Sequence, residues 1–422
     1  MREGWKEVTL GEIIQIKHGY GFKGEYFSDI ETENILLTPG NFNIGGGFKN
    51  DKLKYYSGPI NESFVLKEND VIITMTDLSK MADTIGFSAK IPKQTSKNYL
   101  HNQRIGLVEI VDQNFDLNFI YWLLRTENYQ RYIAGSAIGA TVKHTSPSKI
   151  YSTKLIVPTN IETQRKIAAI LSAYDDLIEN NLKRIKLLEE MAQQTYYDFV
   201  NNDCVINSDS FLLKDIIEFH IGGGWGNDEK TGEFSESGYV IRGTDIDPLK
   251  IGNCTNIPYR FHKISNIKSR KLINGDIIFE VSGGSSYEGV AKSFLITDEV
   301  LNYFNHDVMC ASFCKLIRLK DKSLSHYFYF FLQHLRTKKI TEIYEKRSAS
   351  NIVNYNWEAF LEYQKIKIPN KNDLGIFNNV VVKMLQVVQK LGSQNQRLRE
   401  ARNILLPRLM MGLVDVDNIA NR

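Results

Sequence analysis

The chain has 422 residues, of which 42% are hydrophobic and 11% aromatic, and its formal net charge is +3 at pH 7. This length exceeds one ordinary domain, and the apolar content is sufficient to bury several cores. The sequence contains no apolar run of about 18 residues, and its start, MREGWKEVTL, lacks a secretory signal pattern. We therefore expect a cytoplasmic protein of two to four domains without a membrane segment.

Cysteine content and local charge indicate whether the chain is a disulfide-rich protein and whether it is basic enough overall to bind nucleic acid. Cys204, Cys254, Cys310 and Cys314 are too few and too irregularly spaced for a disulfide framework, so we expect thiols. Residues 1–150 contain 17 Lys/Arg and 17 Asp/Glu, and residues 211–360 contain 19 and 18. A nucleic-acid surface would therefore have to be local, with the two signs of charge sorted onto different faces.

The first predicted domain covers residues 1–157. An apolar segment runs into glycines in VTLGEIIQIKHGYGFKG from Val8, and an acidic turn leads into the β-branched run NDVIITM from Asn69. The aromatic segment LNFIYWLLRTENYQRYI from Leu117 has a helical pattern, and the strand KLIVP closes at Pro158. Strand-forming residues with frequent Gly, Asn and Asp turns predict a mixed α+β domain.

A long helix is predicted over residues 158–205. Apolar residues recur there at alternating steps of three and four, which is the pattern of a coiled-coil seam. The seam positions are Ile167, Leu171, Tyr174, Ile178, Asn181, Ile185, Leu188, Ala192 and Thr195. A helix of about 40 residues spans roughly 60 Å.

The same features return in the same order about 205 to 214 positions later. FLLKDIIEFHIGGGWG begins at Phe211, GDIIFEV at Gly275, and LSHYFYFFLQHLRTKKITEI at Leu324, while KIKIP closes at Pro369. These features predict a second α+β domain over residues 206–368 and a second long helix over residues 369–422. The seam of that helix is predicted at Val380, Met384, Val388, Leu391, Asn395, Leu398 and Leu405, with Gly392 and Pro407 making it less regular.

One asparagine recurs in each predicted seam, at Asn181 and Asn395. Two interpretations remain open. The pair is either ordinary surface polarity or a buried pair that fixes the register of the two helices, at some cost in stability.

Four segments resemble one protein family. PTNIETQRKIAAIL after the first closing proline, the long helix beyond it, GSAIGATVKH before the strand, and the ending ILLPRLMMGLV are similar to the specificity subunit of type I restriction-modification systems. The resemblance extends over essentially the whole chain. The second copy departs from it, since NKNDLGIFNNVV stands where a Glu-Gln-Arg-like helix start is typical.

The resemblance implies an architecture and a set of partners. It implies two α+β target-recognition domains separated by two long antiparallel coiled-coil helices, arranged as a pseudo-twofold internal repeat. Each domain would read one half of a bipartite asymmetric site in double-stranded DNA, and the helices would set the spacing. Two modification subunits, which bring S-adenosylmethionine, and two motor-nuclease restriction subunits would supply the chemistry. The chain itself would then be non-catalytic and hold no cofactor.

Catalytic alternatives find little support in the sequence. Gly19, Gly21 and Gly24 match the dinucleotide pattern Gly-x-Gly-x-x-Gly, but the following EYFSDIETEN has no helical period. We expect these glycines to shape a tight hairpin from which Lys17, His18, Tyr20, Phe22 and Lys23 project. The chain lacks the Asn-Pro-Pro-Tyr or Asp-Pro-Pro-Tyr string of an amino-methyltransferase, and Ser282 stands where a Glu-x-Lys nuclease pattern after Asp276 and Glu280 would need lysine. For Cys310 and Cys314, core packing is favoured over a metal site.

DNA reading requires Arg or Lys for guanine, Asn or Gln for adenine, and further polar groups for phosphates. Loops of this composition supply the following candidate DNA-binding residues: Lys17, His18, Tyr20, Lys23, Lys143, His144 and Ser146 in the first domain, and Trp225, Asn227, Ser285, Ser286, Tyr287, Arg347, Asn351, Asn354 and Tyr355 in the second. For each residue taken singly, a solvated surface loop is an equally good interpretation. The rival class is a coiled-coil interaction scaffold that binds proteins and no DNA.

Overall fold

The computed structural model describes residues 3–50, 53–77, 82–93, 96–139, 142–283, 289–347 and 352–416. The chain forms two compact units, one of Met1–Asp175 with Glu400–Arg422 and the other of Asp176–Arg399. Each unit therefore combines a globular part with portions of both long helices. Among the described residues, no helix is both long and apolar enough to cross a bilayer.

The first unit is a mixed α+β body. Its strands are β1 (Trp5–Thr9), β2 (Ile14–His18), β3 (Phe27–Ser28), β4 (Asn34–Leu36), β5 (Lys54–Tyr56), β6 (Val65–Leu66), β7 (Val71–Thr74), β8 (Thr76–Asp77), β9 (Ser88–Lys90), β10 (Asn98–Leu100), β11 (Ile105–Ile110), β12 (Lys143–His144) and β13 (Lys154–Pro158). Its helices are α1 (Leu117–Leu123), α2 (Glu127–Ser136), α3 (Pro147–Tyr151) and the beginning of α4 (Ile161–Val200).

Within the described residues, the strands of this unit form two main sheets and two ribbons. The order β2-β11-β7-β9 makes an antiparallel sheet, and β3-β5-β4-β10-β6 makes a second sheet in which β4 and β10 are parallel. The ribbons are β1-β13 and β8-β12. One of the hydrophobic cores of this unit joins α1, α2 and the first sheet to Ile167 and Leu171 of α4 and to Leu409 and Met410.

The second unit repeats these elements. It contains the remainder of α4 and the strands β14 (Ser210–Leu212), β15 (Ile217–Gly222), β16 (Phe234–Ile241), β17 (Tyr259–Lys263), β18 (Ile277–Glu280), β19 (Ser282–Gly283), β20 (Ser293–Leu295), β21 (Asp307–Cys310), β22 (Cys314–Leu319), β23 (Glu345–Arg347), β24 (Val353–Tyr355) and β25 (Lys365–Lys367). Its helices are α5 (Asp203–Ile206), α6 (Leu213–Ile216), α7 (Ile246–Lys250), α8 (Ile264–Arg270), α9 (Asp298–Leu301), α10 (Ser325–Thr337), α11 (Trp357–Tyr363) and most of α12 (Lys371–Met410).

The strand connections confirm the internal repeat. The ribbon β14-β25 matches β1-β13, the sheet β15-β22-β18-β20 matches β2-β11-β7-β9, and the parallel pair β16/β21 matches β4/β10. The ribbon β19-β24-β23 matches β8-β12. In the first unit, the place of β23 is taken by Ile138, which forms an isolated bridge with His144 of β12. The repeat predicted from sequence therefore extends to strand order and direction.

The repeated turn before the central strand shows how local chemistry produces the same structure twice. Asn69 and Gly275 both have positive φ, at 68° and 92°, a conformation that glycine and asparagine tolerate best. The next residue in each copy, Asp70 or Asp276, accepts a backbone N–H three residues earlier, from Lys67 at 2.7 Å or from Ile273 at 2.9 Å. This acidic turn ends one segment and starts β7 or β18.

Both long helices are continuous and pair in opposite directions. In the second unit, Ile185 of α4 packs with Val388 and Leu391 of α12, and Tyr196 of α4 contacts Phe377 further back along α12. In the first unit, Asp175 of α4 forms an ion pair with Arg402 of α12. The described helices thus confirm the antiparallel coiled-coil prediction.

The predicted seam of α4 is largely confirmed, and that of α12 needs a correction. Buried positions in α4 include Ile167, Leu171, Ile178, Asn181, Ile185 and Ala192, with Tyr196 buried at the end where Thr195 was predicted. In α12, Val380 is 41% exposed, and the buried positions before Val388 are Leu374, Phe377, Val381 and Leu385. The buried face moves because this part of α12 packs on α10 as well as on α4, with Phe377 contacting Tyr327 and Phe330.

Gly392 has a packing role, and α12 continues through it. A Cβ at Gly252, whose φ is 69°, would lie 2.2 Å from the carbonyl carbon of Gly392. The turn after α7 therefore rests directly on the α12 backbone, where neither position leaves room for a side chain. Pro407 also lies within α12, which ends at Met410.

Candidate nucleic-acid interface

The register of the central sheet brings several candidate residues of the first unit to one edge. His18, at the end of β2, lies opposite Gly106 near the start of β11, and Ile105 lies opposite Thr74 at the end of β7. The chain continues from β7 directly into β8, which pairs with β12 through Lys143–Asp77 and His144–Thr76. We call this the first edge: the end of β2, the end of β7, the start of β11, and the β8-β12 ribbon.

The first edge exposes basic and imidazole groups. Lys17, His18 and His144 are exposed, and Lys143 is half-buried. Behind them, His101 is 1% exposed and its Nε2 lies 2.8 Å from the Ile105 carbonyl oxygen. Burial lowers the pKa of His101 below its ordinary value, and Lys17 and His18 lower it further, so this imidazole adds no positive charge at neutral pH.

The glycines after β2 do not form the predicted hairpin. A Cβ on Gly19 would lie 2.3 Å from the carbonyl oxygen of Asn102, and the next residue, Tyr20, donates its N–H to the His101 carbonyl. The segment instead crosses closely over residues 101–102, which requires glycine at the crossing. Tyr20 remains 46% exposed, but Phe22 is buried in an aromatic cluster.

The remaining candidates of the first unit lie on either side of this edge. Lys23 is exposed and lies 3.8 Å from Glu25, an ion pair in open solvent that contributes little energy. Ser146 precedes α3, and its Oγ lies 2.8 Å from Oγ of Ser148.

The second unit has an equivalent edge. Gly222 at the end of β15 lies opposite Lys315 of β22, and Glu280 at the end of β18 lies opposite Cys314. The chain passes from β18 into β19, whose Ser282 pairs with Asn354 of β24. The second edge consists of the end of β15, the end of β18, the start of β22, and the β19-β24-β23 ribbon.

The side chains of the second edge differ from those of the first. Asn354, Lys346 and Arg347 are exposed on the ribbon, and Lys315 lies over the Trp357 ring at 5.4 Å. Tyr355, also a candidate, is 7% exposed and packs against Phe279 and Phe360, so its side chain lies in the core. Strand alternation explains the difference, because neighbouring residues of β24 face opposite sides.

Trp225 and Asn227 lie in the segment that follows β15. Gly223 crosses over the carbonyls of Cys310 and Ala311, as Gly19 does in the first unit. Trp225 is 40% exposed, with the Arg260 guanidinium 4.6 Å from its ring centroid, and Arg260 also pairs with Asp228. Asn227 exchanges backbone hydrogen bonds with Phe261 of β17. The candidates Ser285, Ser286, Tyr287 and Asn351 lie outside the described residues.

Sequence reasoning missed one exposed position in each unit. Arg104 and Phe313 immediately precede β11 and β22, and each accepts a backbone N–H, from Met75 and Val281 respectively. Both side chains are exposed, that of Phe313 by 58%. The sequence signal for Arg104 and Phe313 is their equivalent place in the two copies, immediately before the strands β11 and β22.

Several described residues near the second edge were possible catalytic or metal-binding groups in the sequence. No group of three or more His, Cys, Asp or Glu side chains among them could hold a metal ion. Burial raises the pKa of the Cys310 thiol to about 12, so it stays protonated at neutral pH, and Cys254, Cys310 and Cys314 are free thiols. Asp276 is held by a bidentate pair with Arg318, at 2.7 Å for each bond. Asp276 thus has a structural partner in Arg318, and the Cys310 side chain is part of the core.

Comparisons with known proteins agree with this architecture. The family model described as the type I restriction modification DNA specificity domain matches residues 2–190. The chain is 25% identical over 321 residues to the type I restriction enzyme MjaIX specificity subunit of Methanocaldococcus jannaschii, covering 71% of this chain and 70% of that protein. It is 26% identical over 212 residues to the EcoAI specificity subunit of Escherichia coli, covering 49% of this chain and 34% of that one.

A solved structure supports the fold. The crystal structure of a type I restriction-modification S subunit from M. genitalium superposes with a TM-score of 0.56, at 14% identity and 96% coverage of both chains. At that identity the likeness concerns the fold alone, and the fold it shares is the duplicated one described above. The family model over residues 2–190 and the relatives thus indicate a type I restriction-modification specificity subunit, and the solved structure shares the duplicated fold.

Proposed function

We propose that each unit binds one half of a bipartite, asymmetric site in double-stranded DNA, using the first and second edges as reading surfaces. One observation carries the proposal: the same edge is built twice from the same strand connections, while its exposed side chains differ. A repeated backbone places both surfaces at equivalent positions in the two units. Different side chains on that backbone would make the two half-sites different, which is what an asymmetric site requires.

The chemistry of the edges fits duplex DNA. Lysine and arginine side chains neutralise phosphates and contact guanine, and amides reach adenine in the major groove. The first edge offers Lys17, His18, Arg104 and His144, and the second offers Lys346, Arg347 and Asn354. Both sets are local concentrations of positive and hydrogen-bonding groups in a chain whose overall charge is only +3.

The long helices fit two further roles, spacing and subunit docking. Leu177, Leu187 and Met191 of α4 are exposed by 49%, 58% and 54%. Leu187 and Met191 lie one turn apart on α4, and adjacent exposed apolar side chains are typical of contacts with another protein, whereas single ones are common on any surface. Two modification subunits would bind these helices and bring S-adenosylmethionine, and two motor-nuclease restriction subunits would complete the assembly. This chain would contribute recognition and no reacting group.

Duplex binding by the chain assembled with its modification subunits tests the proposal. The affinity of the complex for the DNA motif that it methylates should fall by about 10³- to 10⁵-fold as salt rises from 50 to 200 mM, if six to ten phosphates are contacted. A duplex of the same composition with a scrambled sequence should bind much more weakly at every salt concentration. Binding that is independent of salt, or equal for both duplexes, would instead favour the protein-binding scaffold.

A further inference from the structure

One strand of each edge ribbon, β12 in the first unit and β24 in the second, carries an exposed side chain at an equivalent position. His144 of β12 lies opposite Thr76 of β8, and Asn354 of β24 lies opposite Ser282 of β19. The following residue in each copy, Thr145 or Tyr355, donates its N–H to the residue before the partner strand, Met75 or Val281. This matching pattern of hydrogen bonds makes 144 and 354 the same position of the repeat.

A hydroxyl group contacts the side chain at each of these positions. Oγ1 of Thr76 lies 3.2 Å from Nδ1 of His144, and Oγ of Ser282 donates to Oδ1 of Asn354 at 2.7 Å. Thr76 is 3% exposed and Ser282 is half-buried, whereas His144 and Asn354 are exposed. A more buried hydroxyl thus holds one atom of an exposed ring or amide, which restricts the orientation of that side chain.

We propose that His144 and Asn354 are equivalent base-discriminating residues, one for each half of the DNA site, and that Thr76 and Ser282 are their positioning residues. The inference rests on the proposed function and extends it to single side chains. With Nδ1 of His144 engaged, Nε2 is the ring atom that meets a base. With Oδ1 of Asn354 engaged, Nδ2 donates, and its partners are acceptors on a base edge, such as N7 of a purine.

The surroundings support contact with DNA at this position. Lys143 precedes His144 on the same strand, and Lys346 is the cross-strand neighbour of Asn354, with Arg347 next to it. These cations can bind the phosphates beside the base that is read. The two positions therefore combine a directed hydrogen-bonding group with neighbouring positive charge, whereas a surface side chain of purely structural role needs neither.

The test exchanges the two side chains in the full complex with its modification subunits. His144→Asn and Asn354→His are each used to select bound duplexes from a randomised library, and the bound sequences are compared with those of the unaltered complex. We expect H144N to change the preferred base at one position of one half-site, and N354H to do so in the other half-site. The discrimination ratio at that position should change by about tenfold or more.

The positioning role is tested with Ser282→Ala and Thr76→Val. Removing the hydroxyl should lower discrimination at the same base position by about tenfold while overall affinity for DNA changes little, since the phosphate contacts remain. A residue of merely structural importance would instead lower stability and binding to every sequence alike. S282A is the safer variant because Ser282 is half-buried, whereas Thr76 is in the core.

Matched controls lie at the opposite end of the same sheets. Gln15 of β2 pairs with Glu109 away from the first edge, and Glu218 of β15 is exposed away from the second. Q15A and E218A should leave both half-sites unchanged. If H144N and N354H alter neither half-site, or alter the same one, the inference is wrong while the proposed function stands. If the unaltered complex selects no sequence at all, the proposed function itself fails.

Discussion

At the scale of single residues, the Asn181–Asn395 pair shows how one polar contact can define a helical interface. Nδ2 of Asn181 donates to Oδ1 of Asn395 at 3.0 Å and to Oε1 of Gln394 at 3.2 Å. The two asparagines are 4% and 0% exposed, so of the two interpretations left open by the sequence, surface polarity is excluded. This hydrogen bond between buried amides forms only when the helices are in one register, because any shift along the axis would separate the two side chains.

We therefore predict strong coupling between these two positions. Asn181→Leu alone leaves a buried Asn395 carbonyl without this donor and should lower the free energy of unfolding by about 1–3 kcal/mol. The double variant N181L/N395L should recover much of that loss, because two leucines pack in the seam. Denaturant unfolding of the two single variants and the double variant measures the coupling. Strictly additive effects would contradict a direct pairing.

The glycine after β15 provides a second prediction at this scale. A Cβ on Gly223 would lie 2.1 Å from the Cys310 carbonyl oxygen, whereas one on Gly222 would meet nothing within 4 Å. Gly223→Ala must displace the backbone of one strand and should cost about 1–3 kcal/mol of stability. Gly222→Ala is the matched control and should change stability by no more than about 0.5 kcal/mol. Thermal unfolding of both variants checks this, and equal Tm values would contradict the close crossing.

At the scale of elements, the boundary between the two units falls within both long helices. Asp175 of α4 pairs with Arg402 of α12 in the first unit, and Asn181 pairs with Asn395 in the second. An insertion near Ile185 would separate it from Val388, Leu391 and Ile251, with which it packs. A change in helix length that preserves both units must therefore lie between these two sets of contacts.

We predict that seven residues inserted into each helix at this boundary will lengthen the unread spacer of the DNA site. A heptad keeps the seam in phase, and seven residues add about 10.5 Å. This length corresponds to roughly three base pairs at 3.4 Å each. Sequencing of methylated positions should show both half-sites unchanged at a greater separation. The same insertion in α4 alone is the control and should abolish specific binding, and an unchanged spacer with the paired insertion would refute the role of the helices in spacing.

At the scale of the whole molecule, the repeat is one of backbone topology more than of sequence. The tripeptide Leu-Arg-Thr, which occurs in both copies at residues 124–126 and 335–337, illustrates this. Arg125 forms an ion pair with Asp175 and donates to the Gly45 carbonyl, whereas Arg336 contacts the Val290 carbonyl. Identical residue types thus make different contacts in the two copies, while different residue types, such as His144 and Asn354, occupy the same position of the repeat.

Independent reading by the two units predicts the result of a domain exchange. Replacing residues 1–157 by those of a relative should change one half of the methylated motif and leave the other half unchanged. The graft must be chosen to pack on Ile167, Leu171, Leu409 and Met410, because these helix residues complete the core of the first unit. Exchange of residues 206–368 is the reciprocal control and should change only the other half. Changes in both halves after either exchange would contradict independent reading.

The sequence by itself determined the duplication, the two long helices and most of the α4 seam, because periodicity and turn chemistry are local properties of the chain. It also carried the resemblance to type I specificity subunits, since several motifs occur in one order. Tertiary structure alone decided that Tyr355 is buried while Asn354 is exposed, that Gly19 serves a strand crossing, and that the buried face of α12 includes Val381 in place of Val380. Each of these depends on which distant segment packs against the residue, and the period of a single segment carries no information about its packing partner.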